Sequence, residues 1–129
     1  MSKVALVVDD SMLIRYSICR FLEERGFAVE AATNGSEALE VLRRTKPDLI
    51  VTDLKMPKMS GAELIEALKS KPETAAVPII VVTSKANGPC DPKFANLAIF
   101  KDIDIEMQLD KALSALPGMT NVKGRSAGN

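Results

Sequence analysis

Five polar side chains of this sequence follow short apolar segments and are of the types that handle phosphate and divalent cations. They are the acidic pair Asp9 and Asp10 after the first segment, Asp53 after the third, Thr83 at the end of the fourth and Lys101 after the fifth. If these segments are strands of one parallel sheet, their carboxyl ends meet in one crevice and bring the five groups together. Three carboxylates in one crevice repel one another, so one protonates unless a cation lies among them.

The donor types indicate which cation and which chemistry to expect. A set made only of oxygen donors, with neither Cys nor His, suits a hard divalent ion, and Mg²⁺ is the expected one. A lysine and a hydroxyl that face the same ion form a clamp for a transferring phosphoryl group. A carboxylate can accept that group to give an acyl phosphate, and Asp53 is the candidate nucleophile because it lies between the other groups.

Each of these residues taken alone has a simpler explanation. Aspartates after strands are commonly helix N-caps or loop residues, and a single threonine or lysine at a strand end carries no information. What indicates a site is the joint pattern of acids, hydroxyl and lysine at four of the five predicted strand ends.

Composition limits the classes of function. The 129 residues, 47% of them hydrophobic, are enough for one domain with a proper core, and 17 acids balance 17 bases, so we expect neither nucleic acid nor membrane as a partner. Cys19 and Cys90 show no paired spacing, which predicts reduced thiols in a cytoplasmic protein. The absence of histidine excludes Ser-His catalysis and His-ligated zinc.

Strands and helices alternate strictly along the chain. The helices are expected to begin at the capping residues Ser11, Asn34, Ser60 or Gly61, and about Asp104. The strands are expected at Lys3–Val8, Phe27–Ala32, Leu49–Val51 with its closing Asp53, Val77–Thr83 and Leu97–Phe100.

This alternation predicts an α/β fold, a flavodoxin-like doubly wound parallel sheet of five strands in the order 2-1-3-4-5. The fourth helix, between the last two strands, is expected to be shortened or irregular, because the segment Ser84–Asn96 contains Asn87-Gly88-Pro89 and Pro92. We expect that segment to be mobile on a timescale of microseconds or slower. Residues 1–117 are expected to form the domain and 118–129 a flexible tail.

The site pattern resembles the response regulator receiver domain of two-component signalling, of the single-domain, CheY-like kind, over residues 3–116. The matching residues are Val7-Val8-Asp9-Asp10-Ser11, Val51-Thr52-Asp53-Leu54-Lys55-Met56-Pro57 with Gly61, Val81-Val82-Thr83-Ser84, and Lys101. The resemblance implies that a sensor histidine kinase phosphorylates Asp53. It also implies that Asp10, Asp53 and the backbone carbonyl of Lys55 bind Mg²⁺ directly, with Asp9 acting through water.

The resemblance further implies that Thr83 binds the phosphoryl oxygen in the activated state and that Lys101 pairs with the phosphoryl group. The sequence departs from the family near this lysine. Asp102 follows it where the family usually has proline, and Ala98 stands where the family has an aromatic switch residue. Phe100 falls on the same face of the strand as Ala98 and is the candidate substitute.

The leading functional hypothesis is a phosphoacceptor module that switches partner binding, or relays or drains phosphate, with only autocatalytic chemistry on its own Asp53. The tail after Pro117 is too short for a DNA-binding fold, so an unidentified protein is expected downstream. A phosphorylation-independent pseudo-receiver is the alternative, disfavoured because both acids of the pair are present. An aspartyl phosphatase is disfavoured by Lys55 two residues after the nucleophile, and a flavodoxin by the negative charge of Asp9-Asp10 where phosphate is bound.

Overall fold

The computed structural model describes residues 3–54, 60–84, 97–101 and 104–116. The predictions made for Lys55, Asp102, the irregular segment 85–96 with its shortened helix, and the tail 118–129 lie outside these residues.

Five short strands form one parallel sheet in the order β2-β1-β3-β4-β5. The predicted flavodoxin-like fold and strand order are therefore confirmed. The strands are β1 (Val4–Val8), β2 (Ala28–Ala32), β3 (Leu49–Asp53), β4 (Ile79–Thr83) and β5 (Leu97–Phe100).

Each described helix begins at a side chain that caps its first turn, as the sequence predicted. Ser11, Asn34, Ser60 and Asp104 each accept a hydrogen bond from a backbone N–H three residues later. The helices are α1 (Met12–Glu24), α2 (Gly35–Leu42), α3 (Gly61–Lys69) and α4 (Ile105–Ala115). Within the described ranges, no helix has the length and apolar character needed to span a membrane.

Three strands are shorter than predicted. Strand β1 begins at Val4 and not at Lys3, and β2 and β4 begin later because their first predicted residues take part in turns. The N–H of Phe27 donates to the carbonyl of Leu22 at the end of α1, so β2 begins at Ala28. The N–H of Val77 donates to Thr74, and β4 begins at Ile79, after Pro78. Proline before the first strand residue removes no hydrogen bond from the ladder.

The three central strands β1, β3 and β4 are buried on both faces of the sheet, so their residues alternate between two hydrophobic clusters. Helices α1 and α4 cover the face that carries Ala5, Val7, Leu49, Val51, Ile80, Val82 and Ile99. Helices α2 and α3 cover the opposite face, which carries Leu6, Val8, Ile50, Ile79 and Val81. With the helices fixed on both faces, the carboxyl ends of the strands are left at one rim of the sheet.

Candidate functional site

Strand register places two of the predicted acidic groups side by side. Strands β1 and β3 are neighbours, and Val8 pairs with Thr52, so Asp9 and Asp53 leave adjacent strands at the same level. One carboxylate oxygen from each of Asp9, Asp10 and Asp53 lies within 4.8 Å of the others. Asp9 and Asp53 are 1% and 4% exposed, whereas Asp10 is exposed. The predicted convergence of three carboxylates is therefore found.

Three hydrogen bonds from neighbouring elements hold Asp9 in the turn from β1 into α1. Its N–H donates to the carbonyl of Ala32 at 3.1 Å, and its Oδ1 accepts from the N–H of Ser11 at 2.8 Å. The guanidinium of Arg15 donates through Nη1 to the Asp9 carbonyl at 2.8 Å. Sequence reasoning missed Arg15, because its partner is a backbone carbonyl and no sequence pattern marks such a contact.

Lys101 brings the counter-charge to this cluster from the edge strand. Its Nζ lies 3.1 Å from Asp53 Oδ2 and 3.6 Å from Asp9 Oδ2, and its side chain is 22% exposed. Its backbone N–H donates to the carbonyl of Thr83 at 2.9 Å, which ties the residue after β5 to the end of β4. Thr83 itself is buried at the same rim of the sheet.

The pKa values of both Asp9 and Lys101 are raised, each for a different reason. Burial raises the pKa of the Asp9 carboxyl, and the charges of Asp53 and Asp10 add to this, while the Ser11 N–H and the Lys101 ammonium oppose it. Burial acts against the charged form of Lys101. Its hydrogen bond to Asp53 and the surrounding carboxylates outweigh that effect and raise the pKa of the ammonium.

One carboxylate oxygen shows that the cluster suits a cation. Asp9 Oδ2 is buried and has no hydrogen-bond partner within the described part of the chain, although the Lys101 ammonium lies 3.6 Å away. An ionised oxygen in that position needs a further positive charge. The oxygen donors of Asp9, Asp10 and Asp53 fit a hard divalent ion such as Mg²⁺.

The comparisons with known proteins agree with this geometry. The family model described as the response regulator receiver domain matches residues 5–114. Protein PilH of Pseudomonas aeruginosa is 38% identical over 80 residues, which cover 62% of this chain and 66% of PilH. The chemotaxis response regulator CheY4 of Vibrio cholerae has a similar structure, with a TM-score of 0.77 and 27% identity over 90% of this chain and 100% of CheY4.

A further solved structure is the receiver domain of the sensor histidine kinase PA1611 from Pseudomonas aeruginosa, with magnesium coordinated in its active site cleft. It has a TM-score of 0.74 and 20% identity, covering 87% of this chain and 94% of that domain, and so shows a shared fold alone. The matched region spans 34% of the mycobacterial response regulators that are also similar. These matches concern the receiver region and not the remaining parts of longer relatives.

Proposed function

This chain belongs to the response regulator receiver domain family, and from this membership we propose that Asp53 accepts a phosphoryl group from a sensor histidine kinase. The observation that carries the proposal is the contact of the Lys101 ammonium with Asp53 Oδ2 at 3.1 Å, inside the cluster of carboxylates. A positive group already lies beside the oxygen that would become phosphorylated, where negative charge increases during the transfer.

The proposed transfer is a displacement at phosphorus. A carboxylate oxygen of Asp53 attacks the phosphorus of a phosphohistidine, and an O–P bond forms as the P–N bond breaks. The electron pair of the broken bond stays on the imidazole nitrogen, which takes up a proton. The signal ends by slow hydrolysis: a water oxygen forms a bond to phosphorus as the Asp53 O–P bond breaks, the electron pair of that bond stays on the Asp53 carboxylate, and inorganic phosphate leaves while the water gives up a proton to solvent.

The acidic cluster is the proposed magnesium site. Asp10, Asp53 and the backbone carbonyl of Lys55 would hold the ion directly, and Asp9 would act through a water molecule. When bound, Mg²⁺ would neutralise charge on the phosphoryl oxygens. The protein's own contribution is to hold Asp9 by the Ser11 N–H and the Arg15 guanidinium, so that the donors are in place beforehand.

Thr83 and Lys101 are proposed to bind the transferred group from the neighbouring strands. Thr83 ends the buried strand β4, Lys101 follows the edge strand β5, and the two are linked through the hydrogen bond from the Lys101 N–H to the Thr83 carbonyl. Lys101 would exchange part of its contact with Asp53 for a phosphoryl oxygen, and the Thr83 hydroxyl would donate to another. The changed contacts of these two side chains are the proposed start of the switch.

The proposed role in the cell is that of a cytoplasmic signalling module. Residues 1–117 would act as the receiver and 118–129 as a tail. The phosphorylated form would switch the binding of a downstream protein, or relay or drain phosphate from the kinase, with autocatalysis limited to its own Asp53.

The test is phosphorylation by a small donor that needs no kinase. With Mg²⁺ and acetyl phosphate, we expect an acid-stable, hydroxylamine-labile phosphate that Asp53→Asn abolishes. Asp110→Asn is the matched control, because this exposed carboxylate pairs with Arg25 far from the cluster, and it should label normally. Label that survives Asp53→Asn would contradict the assignment, and a chain that never labels but still binds a kinase would support the pseudo-receiver instead.

A further inference from the structure

The end of strand β5 lies at an open edge of the sheet. Within the described residues β5 pairs only with β4, and an edge strand leaves one row of backbone groups without strand partners. The N–H of Lys101 points to β4, since it donates to the Thr83 carbonyl. Alternate residues of a parallel strand bond to the same neighbour, so the N–H and carbonyl of Phe100 face the open edge.

The side chain of Gln108, from helix α4, binds both of these backbone groups of Phe100. Its Oε1 accepts from the Phe100 N–H at 2.9 Å, and its Nε2 donates to the Phe100 carbonyl at 2.7 Å. The same Nε2 lies 3.2 Å from the carbonyl of Asp104. A carboxamide has the donor and acceptor of a peptide group. Gln108 thus takes the place of one residue of a neighbouring strand.

This contact fixes the peptide group from which the Lys101 side chain extends. The carbonyl of the Phe100–Lys101 peptide is held by Gln108, and the N–H of the same peptide is held by Thr83 on the opposite side. The Cα of Lys101 therefore has a fixed position. Because lysine has a flexible four-carbon stem, a fixed Cα limits where its ammonium can reach.

We propose that Gln108 is a positioning residue for Lys101, which holds the end of β5 so that the ammonium lies against Asp53. The proposal rests on the proposed function, in which Asp53 is the phosphoryl acceptor. Asp102 follows Lys101 in the sequence, so no proline ring restrains the chain there. The restraint comes instead from a side chain of α4.

A residue that only joins α4 to the sheet would behave differently from one that acts through Lys101. Loss of a purely structural contact would slow labelling by the same factor whether or not Lys101 is present. Loss of a positioning contact has no further effect once the group it positions is gone, and a double-mutant cycle measures this difference.

The experiment measures the initial rate of labelling by acetyl phosphate with Mg²⁺ for wild type, Gln108→Met, Lys101→Met and the double variant. Methionine has nearly the same length and lacks the amide. We expect Gln108→Met to slow labelling about tenfold in the wild-type background and by less than about twofold in the Lys101→Met background. The amide hydrogen of Phe100 should exchange faster in Gln108→Met.

Two further variants complete the design. Met107→Gln places a carboxamide at the neighbouring exposed position and should label at the wild-type rate. Gln108→Glu keeps an acceptor for the Phe100 N–H but turns a carboxylate oxygen toward the carbonyls of Phe100 and Asp104, so it should slow labelling at least as much as Gln108→Met, and it serves if Gln108→Met does not fold. Equal slowing in both backgrounds, or no slowing, would overturn the positioning role while Asp53→Asn still abolishes label. If neither Asp53→Asn nor Lys101→Met changes labelling, the proposed function itself fails.

Discussion

Within the described residues, the Asp9 carboxylate lies where its negative charge is disfavoured unless a cation is near. It is 1% exposed, it shares a cluster with two other carboxylates, and its Oδ2 lacks a hydrogen-bond partner in the described chain. Burial and repulsion both disfavour its ionised form, while the fold holds its backbone in place. Such an arrangement costs stability, and it keeps a charged site ready for the Mg²⁺ ion that we propose.

We therefore expect Asp9→Asn to stabilise the protein in the presence of a chelator, by about 1 kcal/mol. The amide oxygen can still accept from the Ser11 N–H, while one buried charge is removed and Lys101 keeps Asp53 as its partner. Urea denaturation in EDTA and again in Mg²⁺ measures the free energy of unfolding of both proteins. The gain in stability of Asp9→Asn over wild type should be smaller in Mg²⁺.

The control for this substitution is Asp48→Asn. Asp48 also accepts a backbone N–H, from Val4 at 2.8 Å, but it is exposed and outside the cluster. The free energy of unfolding of the Asp48→Asn protein should differ from that of wild type by less than about 0.5 kcal/mol. A destabilised Asp9→Asn protein in EDTA would show that repulsion within the cluster is not a dominant cost.

The second prediction concerns the reactivity of the thiol of Cys19, which is half-buried on α1. Burial raises the pKa of its thiol, and the charge of Glu23 adds to this while Arg15 opposes it. Because the thiolate is the reactive form, iodoacetamide should react with Cys19 severalfold more slowly at pH 8 than with a free thiol. The pH midpoint of the reaction should lie above that of a free thiol.

The measurement uses Cys90→Ser, so that Cys19 alone reacts, and follows the rate against pH. Unfolding in urea removes the burial and should restore the ordinary rate and midpoint. A midpoint in the folded protein at or below that of a free thiol would contradict the prediction.

Single residues of the site differed in how far the sequence could reveal them. The carboxylates and Lys101 were predictable, because each follows an apolar strand and parallel strands bring their ends together. Arg15 and Gln108 were not, because their partners are backbone groups, the carbonyl of Asp9 and both groups of Phe100. Backbone carbonyls occur at every residue, and only the folded structure determines which of them lack a backbone partner and can bind a side chain.

Among the helices, α3 has the most complete start. Ser60 Oγ accepts from the Glu63 N–H at 3.2 Å, and Glu63 Oε1 accepts from the Ser60 N–H at 3.0 Å, which is a full capping box. The helix carries Leu64, Ile65 and Leu68 into the core between α3 and the sheet. Local capping and core packing thus support the same element.

We expect Ser60→Ala to lower the free energy of unfolding by about 1 kcal/mol, because the backbone N–H of Glu63 loses its acceptor, the Ser60 hydroxyl. Urea denaturation gives the value. Ser114→Ala is the control, since its hydroxyl donates to the Asp110 carbonyl inside a helix, where alanine is at least as favourable. Equal losses for the two variants would show that the capping box has no special role.

Helix starts were predictable to within about one residue, with Ser60 and Gly61 both left open for α3, whereas β2 and β4 begin later than predicted. A cap is a local pattern of Ser, Asn or Asp before an apolar repeat, and each of the four was found in the sequence. Where β2 and β4 begin depends on whether Phe27 and Val77 bond to a turn or to the sheet. That competition involves hydrogen bonds that the apolar pattern does not encode.

Across the whole molecule, alternation of strands and helices was enough to predict the fold, since few topologies allow it. Contacts between distant elements were not predictable. The guanidinium of Arg25 lies 3.7 Å from the centre of the Phe21 ring and 3.1 Å from Asp110 Oδ1, which joins α1 to α4 across 85 positions of sequence. This pair joins the two helices that cover one face of the sheet.

Because the cluster is built from the ends of two central strands, binding of Mg²⁺ should stabilise the entire fold. The unfolded chain does not hold the three carboxylates together, so it binds the ion far more weakly. The free energy of unfolding should then rise with magnesium concentration, by about 2.7 kcal/mol at one hundred times the dissociation constant.

Chemical denaturation at a series of MgCl₂ concentrations tests this linkage, with NaCl at equal ionic strength as the reference. Monovalent salt should have little effect, because 17 acids balance 17 bases over the chain. In Asp53→Asn the magnesium dependence should be weaker, since one of three donors has lost its charge, whereas Asp110→Asn should keep the full dependence. A stability that is independent of magnesium in the unaltered protein would mean that the carboxylates gather without forming a metal site.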